Sequence, residues 1–289
     1  MSLHHFFLES QVLALQNAQE PEFVLDLSRD DLAHAKVLRL KRGEHICVVD
    51  ASSDYFECEI ISFEKNLRVR IAQKLHAPSA LANVWLVQGL PKATKFDDIL
   101  RHGTEIGLSG FIPFQSERSV VKVNKDKCNA KMLRWQAIVK SAAMQSGRVD
   151  LPEVASVCDL DSLCIKLQDF DVVVVCWEEC GCAGFDNSAG FDDSAGFDDC
   201  GSSSSELKKG ATMASALHVR LAEANLLASD AKVCVVVGPE GGFSASEIAS
   251  ISSANKNYEL VSLGPTILRC ETAALVASSL CLYELGALQ

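Results

Sequence analysis

Hydrophobic and polar positions follow two different patterns along the chain, and the change falls near residue 80. In the first 75 residues, apolar and polar side chains alternate in short runs that follow a helix-like stretch around Asp30 to Arg39. Alternation with a period of two is typical of strands with one buried face. The pattern therefore predicts a small β-rich N-terminal domain with strands at His45 to Asp50, Tyr55 to Phe63 and Leu67 to Gln73.

After a linker-like segment, Lys74 to Ala82, short apolar runs alternate with helical patterns. A helix with one apolar face begins at Thr94, and a long helix runs from about Asp126 to Ser146. Strands that alternate with helices indicate a parallel sheet covered by helices. The predicted fold class is α/β, with domains at residues 1–75 and 76–289. Strands of the second domain are predicted at Val84 to Gln88, Phe111 to Phe114 and Asp171 to Trp177.

The run Val233 to Val237 is the first of two apolar runs that end at glycine-bearing turns near the C-terminus. It stops at Gly238-Pro239-Glu240-Gly241-Gly242, and the spacing from Ser244 to Glu247 is that of a capping box. The segment therefore predicts a strand, a tight turn and a helix.

The second run, Leu260 to Leu263, has the same organisation. It stops at Gly264-Pro265 and leads to an Ala-rich helical stretch, Glu271 to Leu285. Loops beyond the carboxyl ends of strands in an α/β sheet are common ligand sites, and glycine lets the backbone approach a ligand closely. Alternatively, these glycines serve only to make the turns. A P-loop and a dinucleotide-binding glycine motif are both absent, so the spacing alone names no ligand.

Both turns resemble the signature of a known enzyme family. GPEGGFS at residues 238–244, followed by LGPTILRCETA at 263–273, is similar to the blocks of the RsmE family of SPOUT methyltransferases. Members of that family use S-adenosylmethionine to methylate N3 of a uridine in 16S ribosomal RNA. Upstream blocks recur in the same order, and the resemblance covers nearly the whole chain except about 178–206. Two departures are Thr266, where the family usually carries Arg, and Cys270, where it usually carries Thr.

The resemblance implies a more specific architecture than the hydrophobic pattern does. It implies a SPOUT-type C-terminal domain with a trefoil knot and an N-terminal PUA-like RNA-binding domain built as a small β-barrel. It also implies a homodimer, formed partly by the last helix, that acts on 16S ribosomal RNA or the small ribosomal subunit. A cytoplasmic location is expected because the sequence shows neither a signal peptide nor a membrane span. The apolar face of that helix belongs equally well to an internal core. Its residues are Ala273, Val276, Ala277 and Leu280.

The same resemblance implies roles for individual residues. Glu240 is a candidate for orienting or deprotonating the base, and Arg269 is a candidate for stabilising charge on a uracil oxygen. Alternatively, Glu240 is a surface turn acid, and Arg269 pairs with Glu271 or binds phosphate. Cofactor binding is expected at Val237, Gly238, Pro239, Gly241, Gly242, Leu263, Gly264, Ile267 and Leu268. RNA binding is expected at Arg39, Lys92, Lys95, Arg118, Lys122 and Arg148.

The net charge of −11 at first disfavours a nucleic-acid partner, because phosphate binding depends on Lys and Arg. However, residues 178–206 contain eight acidic and no basic side chains, so the remaining chain is close to neutral. Within them, about 180–205, the repeats AGFDNS, AGFDDS and AGFDDC form a low-complexity acidic insertion of the kind that does not build a core.

Composition also bears on metals and membranes. The chain has 12 cysteines, which we expect to be reduced and mostly small core residues, because no export signal is recognisable. The spacing of Cys176, Cys180 and Cys182 fits neither an iron–sulfur nor a zinc motif, so no metal is predicted. No apolar run approaches the roughly 18 residues of a membrane span, which predicts no membrane association.

The leading functional hypothesis is an S-adenosylmethionine-dependent uridine-N3 methyltransferase of 16S ribosomal RNA. Two alternatives are a related methyltransferase that acts on another RNA and a non-catalytic RNA-binding module. The intact GPEGGFS block argues against the non-catalytic alternative.

Overall fold

A computed structural model describes residues 3–76, 82–122, 125–178 and 231–288. The predicted acidic insertion at about 180–205 lies outside the described residues, as do Cys180 and Cys182. The described part of the chain forms an α/β fold with two sheets, and it divides into two compact units. The first unit comprises residues 1–80, 100–110 and 125–154, and the second comprises 81–99, 111–124 and 155–289.

The first unit contains a five-stranded sheet in the order β1-β3-β4-β5-β2. β1 runs parallel to β3, and the other neighbours are antiparallel. The three predicted strands are confirmed, whereas β1 and β2 have four and three residues and are too short for their period to be read. Within the described residues β1 and β2 are the sheet edges, so a closed barrel is not found. The strands are β1 His4–Phe7, β2 Glu22–Val24, β3 His45–Val49, β4 Tyr55–Phe63 and β5 Leu67–Leu75.

Three helices accompany this sheet: α1 Leu13–Gln19, α2 Arg29–Val37 and α4 Lys125–Ser146. α2 begins where the Ser28 side chain accepts a hydrogen bond from the Asp31 N–H, which satisfies one of the free donors of the first turn. Alternate strand residues bury one apolar face, and Ala143 of α4 belongs to the same cluster. Part of the long helix thus contributes to the core of the N-terminal unit.

The second sheet has the order β11-β9-β10-β6-β7-β8. β10 pairs in parallel with β6 and β9, and β9 pairs in parallel with β11. The strands are β6 Asn83–Gly89, β7 Gly110–Phe114, β8 Glu153–Val154, β9 Val172–Cys176, β10 Lys232–Val237 and β11 Tyr258–Val261. The remaining helices are α3 Lys95–Ile106, α5 Leu160–Leu167, α6 Ala245–Ala254 and α7 Cys270–Glu284. The strands and helices that were predicted for this domain are found in the predicted order, whereas β8 and α5 were not predicted.

Nearly continuous apolar strands form the centre of this sheet. Val172 to Val175 and Val233 to Val236 have no exposed surface, as expected for parallel strands covered on both faces. α7 packs on β10 and β6 and buries Ala273 and Ala277 within this chain, while Val276 remains 38% exposed. Because β6, β9, β10 and β11 are parallel, their carboxyl ends meet at one edge of the sheet.

The nine cysteines in the described part of the chain are all free, and six of them are buried. Burial raises the pKa of the Cys58 and Cys176 thiols to about 12. These thiols therefore behave as small core residues, as predicted. No helix in the described ranges has the length and apolar character needed to cross a bilayer.

Candidate functional site

The loop after β10 is a tight turn held by its own backbone. The Gly242 N–H donates to the Pro239 carbonyl at 2.9 Å, and Gly242 adopts a φ of 65°. A Cβ at Gly238 would lie 3.3 Å from the Cα of Gly242. Packing inside the turn is thus one reason for glycine at position 238, independent of any ligand.

Glu247 anchors the start of α6 to the loop after β7. Ser244 and Glu247 form the predicted capping box. The buried Glu247 carboxylate also accepts hydrogen bonds from the Glu117 N–H at 2.8 Å and the Ser116 hydroxyl at 3.2 Å. This second use of the capping carboxylate joins segments 130 residues apart, which no local spacing predicts.

The end of β6 packs directly against the same turn. The buried Gln88 amide donates to the carbonyls of Gly89 at 2.9 Å and Gly238 at 3.0 Å. A Cβ at Gly89 would lie 2.6 Å from the Pro239 nitrogen, so only glycine fits there. Sequence reasoning did not select Gln88 or Gly89, although a glycine at the end of a buried strand is a signal of close backbone approach.

A three-residue charge cluster joins three loops at this edge of the sheet. Lys95 Nζ lies 3.1 Å from Glu240 Oε1 and 3.2 Å from Glu271 Oε2. Glu240 also accepts a hydrogen bond from the Lys92 N–H at 3.1 Å. The Cys270 thiol donates to Glu271 at 3.2 Å. We call Lys95, Glu240 and Glu271 the Lys95 cluster.

The Lys95 cluster stabilises the charged forms of its members. Burial alone would raise the pKa of the Glu240 carboxyl, but hydrogen bonds from main-chain N–H groups and Lys95 outweigh it and lower that pKa. The pKa of Glu271 is lowered in the same way, and the two carboxylates raise the pKa of Lys95. Burial and Glu271 raise the pKa of the Cys270 thiol to about 12, so it remains a donor. A carboxylate with a lowered pKa is a weak base, which favours an orienting role for Glu240 over proton removal.

The loop after β11 is more open than the turn after β10. Gly264 has a φ of 118° and nothing within 4 Å of a Cβ built on it, and Ile267 is 84% exposed. Leu263 and Leu268 are partly buried on either side. The N–H groups of Ile267 and Leu268 donate to no acceptor among the described residues. Main-chain donors of this loop are thus available to a ligand.

Arg269 lies at the N-cap of α7, immediately after this loop. Its side chain is exposed and forms no hydrogen bond or ion pair with any residue that the structure describes. The alternative pairing with Glu271 is not found, because Glu271 faces Lys95 and Cys270 instead. The Arg269 guanidinium is therefore available for a substrate.

The residues predicted to bind RNA have different environments. Lys92, Arg118 and Lys122 are exposed, and Arg118 Nη1 donates to the Gly241 carbonyl at 3.2 Å, beside the first loop. Lys95 is engaged in its cluster. Arg39, in the other unit, is exposed and has a φ of 54°.

Arg148 is committed to the protein itself. Its Nη1 donates to the carbonyls of Thr104 at 2.9 Å and Leu108 at 2.8 Å, and the other face of the guanidinium pairs with Asp150. Its side chain is 12% exposed. These contacts give Arg148 a structural role, because its N–H groups satisfy carbonyls at and just beyond the end of α3. Its RNA role stays a prediction.

The residues predicted to bind a cofactor lie on or next to these two loops. Val237 and Pro239 are buried, Gly241 is exposed, Gly242 is half-buried, and a Cβ built at Gly264 has no neighbour within 4 Å. No group of three or more His, Cys, Asp or Glu side chains is arranged to hold a metal ion in the described part of the chain.

Comparison with known proteins identifies related RNA methyltransferases. A family model described as an RNA methyltransferase domain matches residues 77–192 and 202–282. Ribosomal RNA small subunit methyltransferase E of Bacillus subtilis strain 168 is 30% identical over 287 residues, covering 98% of this chain and 97% of that protein. The protein of the same name from Mycobacterium bovis is 28% identical over 247 residues, covering 84% and 79%.

Solved structures share the fold over the full length. The crystal structure of a hypothetical protein has a TM-score of 0.74 at 27% identity and covers 99% of this chain and all of that chain. Ribosomal RNA small subunit methyltransferase E from Neisseria gonorrhoeae, solved bound to S-adenosyl methionine, has a TM-score of 0.69 at 21% identity and covers 98% of both chains. From the family match and the full-length relatives, the chain belongs to the RNA methyltransferase family, in the group of small-subunit ribosomal RNA methyltransferase E proteins.

Proposed function

We propose that this chain transfers the methyl group of S-adenosylmethionine to N3 of a uridine in small-subunit ribosomal RNA. The observation that carries the proposal is the meeting of two glycine-bearing loops, held by the Lys95 cluster, at the carboxyl edge of a parallel sheet. Ligands of open α/β sheets bind at that edge. The full-length likeness to small-subunit ribosomal RNA methyltransferases supports the choice of substrate.

Main-chain groups of the two loops would hold the cofactor. The bound cofactor supplies an electrophilic methyl group. The turn after β10 contributes the backbone of residues 238–242 above buried Val237, and the loop after β11 contributes Leu263, Gly264, Ile267 and Leu268. The N–H groups of Ile267 and Leu268, which have no acceptor among the described residues, and the open space beside Gly264 support this assignment.

Methylation of N3 requires loss of the N3 proton and places negative charge on the uracil ring. Arg269 would stabilise that charge, because its guanidinium is exposed, permanently charged and next to the open loop. Glu240 would orient the uracil rather than remove its N3 proton, since the Lys92 N–H and the Lys95 ammonium already bind the Glu240 oxygens. Holding the reacting groups in alignment is itself a large part of catalysis by displacement.

Contacts with RNA phosphates would come from exposed basic residues. Lys92 lies in the loop after β6, and Arg118 and Lys122 lie in the loop after β7. Arg39 belongs to the N-terminal unit. Basic side chains of this kind position a nucleic acid without reading its sequence.

The family likeness also motivates proposals about architecture. We expect a trefoil knot in the SPOUT-type domain, a PUA-like role for residues 1–75 ahead of the methyltransferase domain at 76–289, and a homodimer. The five-stranded sheet supports the proposed role of residues 1–75, and exposed Val276 on α7 supports the homodimer. A ribosomal RNA substrate would place the enzyme in the cytoplasm.

Mass spectrometry of ribosomal RNA from cells that lack the protein tests the proposed reaction. We expect one 3-methyluridine to disappear from the small-subunit RNA and to return when purified protein and S-adenosylmethionine are added in vitro. Loss of a modified nucleotide from another RNA would reassign the substrate. Unchanged RNA modification together with no binding of S-adenosylmethionine would refute the proposed methyltransferase activity.

A further inference from the structure

We infer that Lys95 is a positioning residue that holds the two cofactor loops in register, and that it is not a phosphate contact for RNA. The inference rests on the proposed function, because it assumes that these loops bind the cofactor. It assigns to Lys95 a role different from the one the resemblance implies.

Lys95 occupies a position that is unfavourable for a lysine unless it has partners. It is the first residue of α3, where the helix dipole presents partial positive charge. Two carboxylates compensate for this: Glu240 at 3.1 Å and Glu271 at 3.2 Å. Glu271 itself lies in the first turn of α7, where the dipole favours an acid.

Each partner lies beyond the end of a different strand. Glu240 lies in the turn after β10, and Glu271 directly follows the loop after β11, so one ammonium group joins both. The loop after β6 is fixed as well, because Glu240 accepts the Lys92 N–H and Ala93 between the two lysines has a φ of 55°. A non-glycine residue in the left-handed region costs free energy and persists where its surroundings determine it.

The charge balance argues against phosphate binding by Lys95. One ammonium faces two carboxylates, so the Lys95 cluster has a net negative charge, and an approaching phosphate would be repelled. Hydrogen bonds to Glu240 and Glu271 also raise the pKa of Lys95, so the ammonium is stabilised in its contacts with these two carboxylates. Lys92 provides the contrast, because its exposed side chain forms no ion pair with any residue in the described ranges.

Substitutions Lys95→Gln and Lys92→Gln separate the two roles. We expect Lys95→Gln to weaken S-adenosylmethionine binding about tenfold in calorimetry, the size of one charge-assisted interaction. The salt dependence of its RNA affinity should match the wild type. Lys92→Gln should bind the cofactor normally, while its slope of log affinity against log salt falls by about 0.7–0.9, as for one lost phosphate contact.

Lys95→Arg and the double variant Lys95→Gln/Glu271→Gln test the mechanism of positioning. Arginine keeps the charge and bridges two carboxylates, so cofactor affinity should recover at least in part. Removing Glu271 together with Lys95 relieves the repulsion between the two acids, so the double variant should bind the cofactor more tightly than Lys95→Gln alone. If Lys95→Gln does not fold, Glu271→Gln carries the same test, because it releases one loop and leaves the RNA slope unchanged.

Two outcomes would overturn the inference. One is normal cofactor binding by folded Lys95→Gln, and the other is a reduced RNA salt slope in that variant. Failure of the wild-type protein to bind S-adenosylmethionine is a different result, since it refutes the proposed function before Lys95 is tested.

Discussion

At the scale of single residues, some polar groups near the site already have hydrogen-bond partners within the protein, and others have none among the described residues. Arg148 and Glu247 have their hydrogen-bonding capacity used inside the protein. Arg269 and the N–H groups of Ile267 and Leu268 have no partner within the described residues. An exposed, unpaired guanidinium beside an open glycine loop is the arrangement expected before a substrate arrives.

Replacing Arg269 with alanine should slow methyl transfer while leaving cofactor binding nearly unchanged. The expected loss is about a hundredfold in the single-turnover rate, as for removal of one donor that stabilises developing charge. Calorimetry with S-adenosylmethionine and single-turnover methylation on the same preparation measure the two effects. Wild-type rates in folded Arg269→Ala would show that the guanidinium has no part in the reaction.

Gly264→Val should weaken cofactor binding for a reason that is local to its loop. The φ of 118° is strained for any side chain, and a branched one fills the open space beside the loop. Gly43→Val is a matched control, because Gly43 also has a positive φ, 83°, and open space, but lies in the other unit. Both variants should lose about 1–3 kcal/mol of stability. Equal cofactor affinity of the Gly264→Val and Gly43→Val variants would show that the loop after β11 is not part of the cofactor site.

At the scale of elements, the helix ends hold the loops in place. The end of α3 is completed by Arg148, its start carries Lys95, and the start of α6 is fixed by Glu247. Because these helices directly follow or precede the site loops, their capping contacts also decide where the loops lie.

Arg148→Gln should destabilise the fold without altering the electrostatics of RNA binding. It removes charge-assisted hydrogen bonds to the carbonyls of Thr104 and Leu108, which would cost about 1–3 kcal/mol. Denaturant unfolding and the salt slope of RNA affinity are the two measurements. Lys122→Gln, an exposed control, should show the reverse: unchanged unfolding and a smaller slope. A smaller slope of log RNA affinity against log salt for Arg148→Gln would show that Arg148 contacts RNA.

The Lys95 cluster predicts how stability changes with pH. Because the pKa values of Glu240 and Glu271 are lower in the folded protein, their contribution is complete above the ordinary glutamate pKa of about 4.3. It is lost as the pH falls through the lower folded values. The wild-type advantage in melting temperature over Glu240→Gln should therefore be constant near neutral pH and shrink in acid. An advantage that stays constant into strong acid would contradict the ion pairs.

At the scale of the whole molecule, charge is distributed very unevenly along the chain. The net charge is −11, yet residues 178–206 alone contain eight acids and no base. Long-range repulsion of RNA by such a segment depends on salt, since it is screened beyond about 8 Å at physiological ionic strength.

Replacing the five aspartates of residues 181–205 with asparagine should therefore tighten RNA binding at low salt. The gain should vanish at high salt, where screening removes the repulsion. Filter binding across a salt series measures it, and replacing five of the serines in 188–205 with threonine provides a control without charge change. Weaker RNA binding in the asparagine variant would show that the aspartates favour the complex.

The sequence by itself determined the α/β class, the main strands and helices, and the two loops that form the candidate site. These features are local: apolar runs, periodicity and the Ser244 to Glu247 capping box are encoded within a few neighbouring residues. The resemblance in GPEGGFS and LGPTILRCETA added the family. Strands β1 and β2 were missed because three or four residues carry too little periodic signal.

Only the tertiary structure decided which partners the charged residues have. Lys95, Glu240 and Glu271 are far apart in sequence, and the parallel pairing of β6, β9, β10 and β11 brings them to one edge of the sheet. The resemblance implies RNA contacts for Arg148 and Lys95, and the structure shows that both side chains also have partners within the protein. The physical reason is that the role of an ionic or hydrogen-bonding side chain depends on which groups lie within about 3 Å of it. The packing of the sheet, rather than spacing along the chain, decides which groups those are.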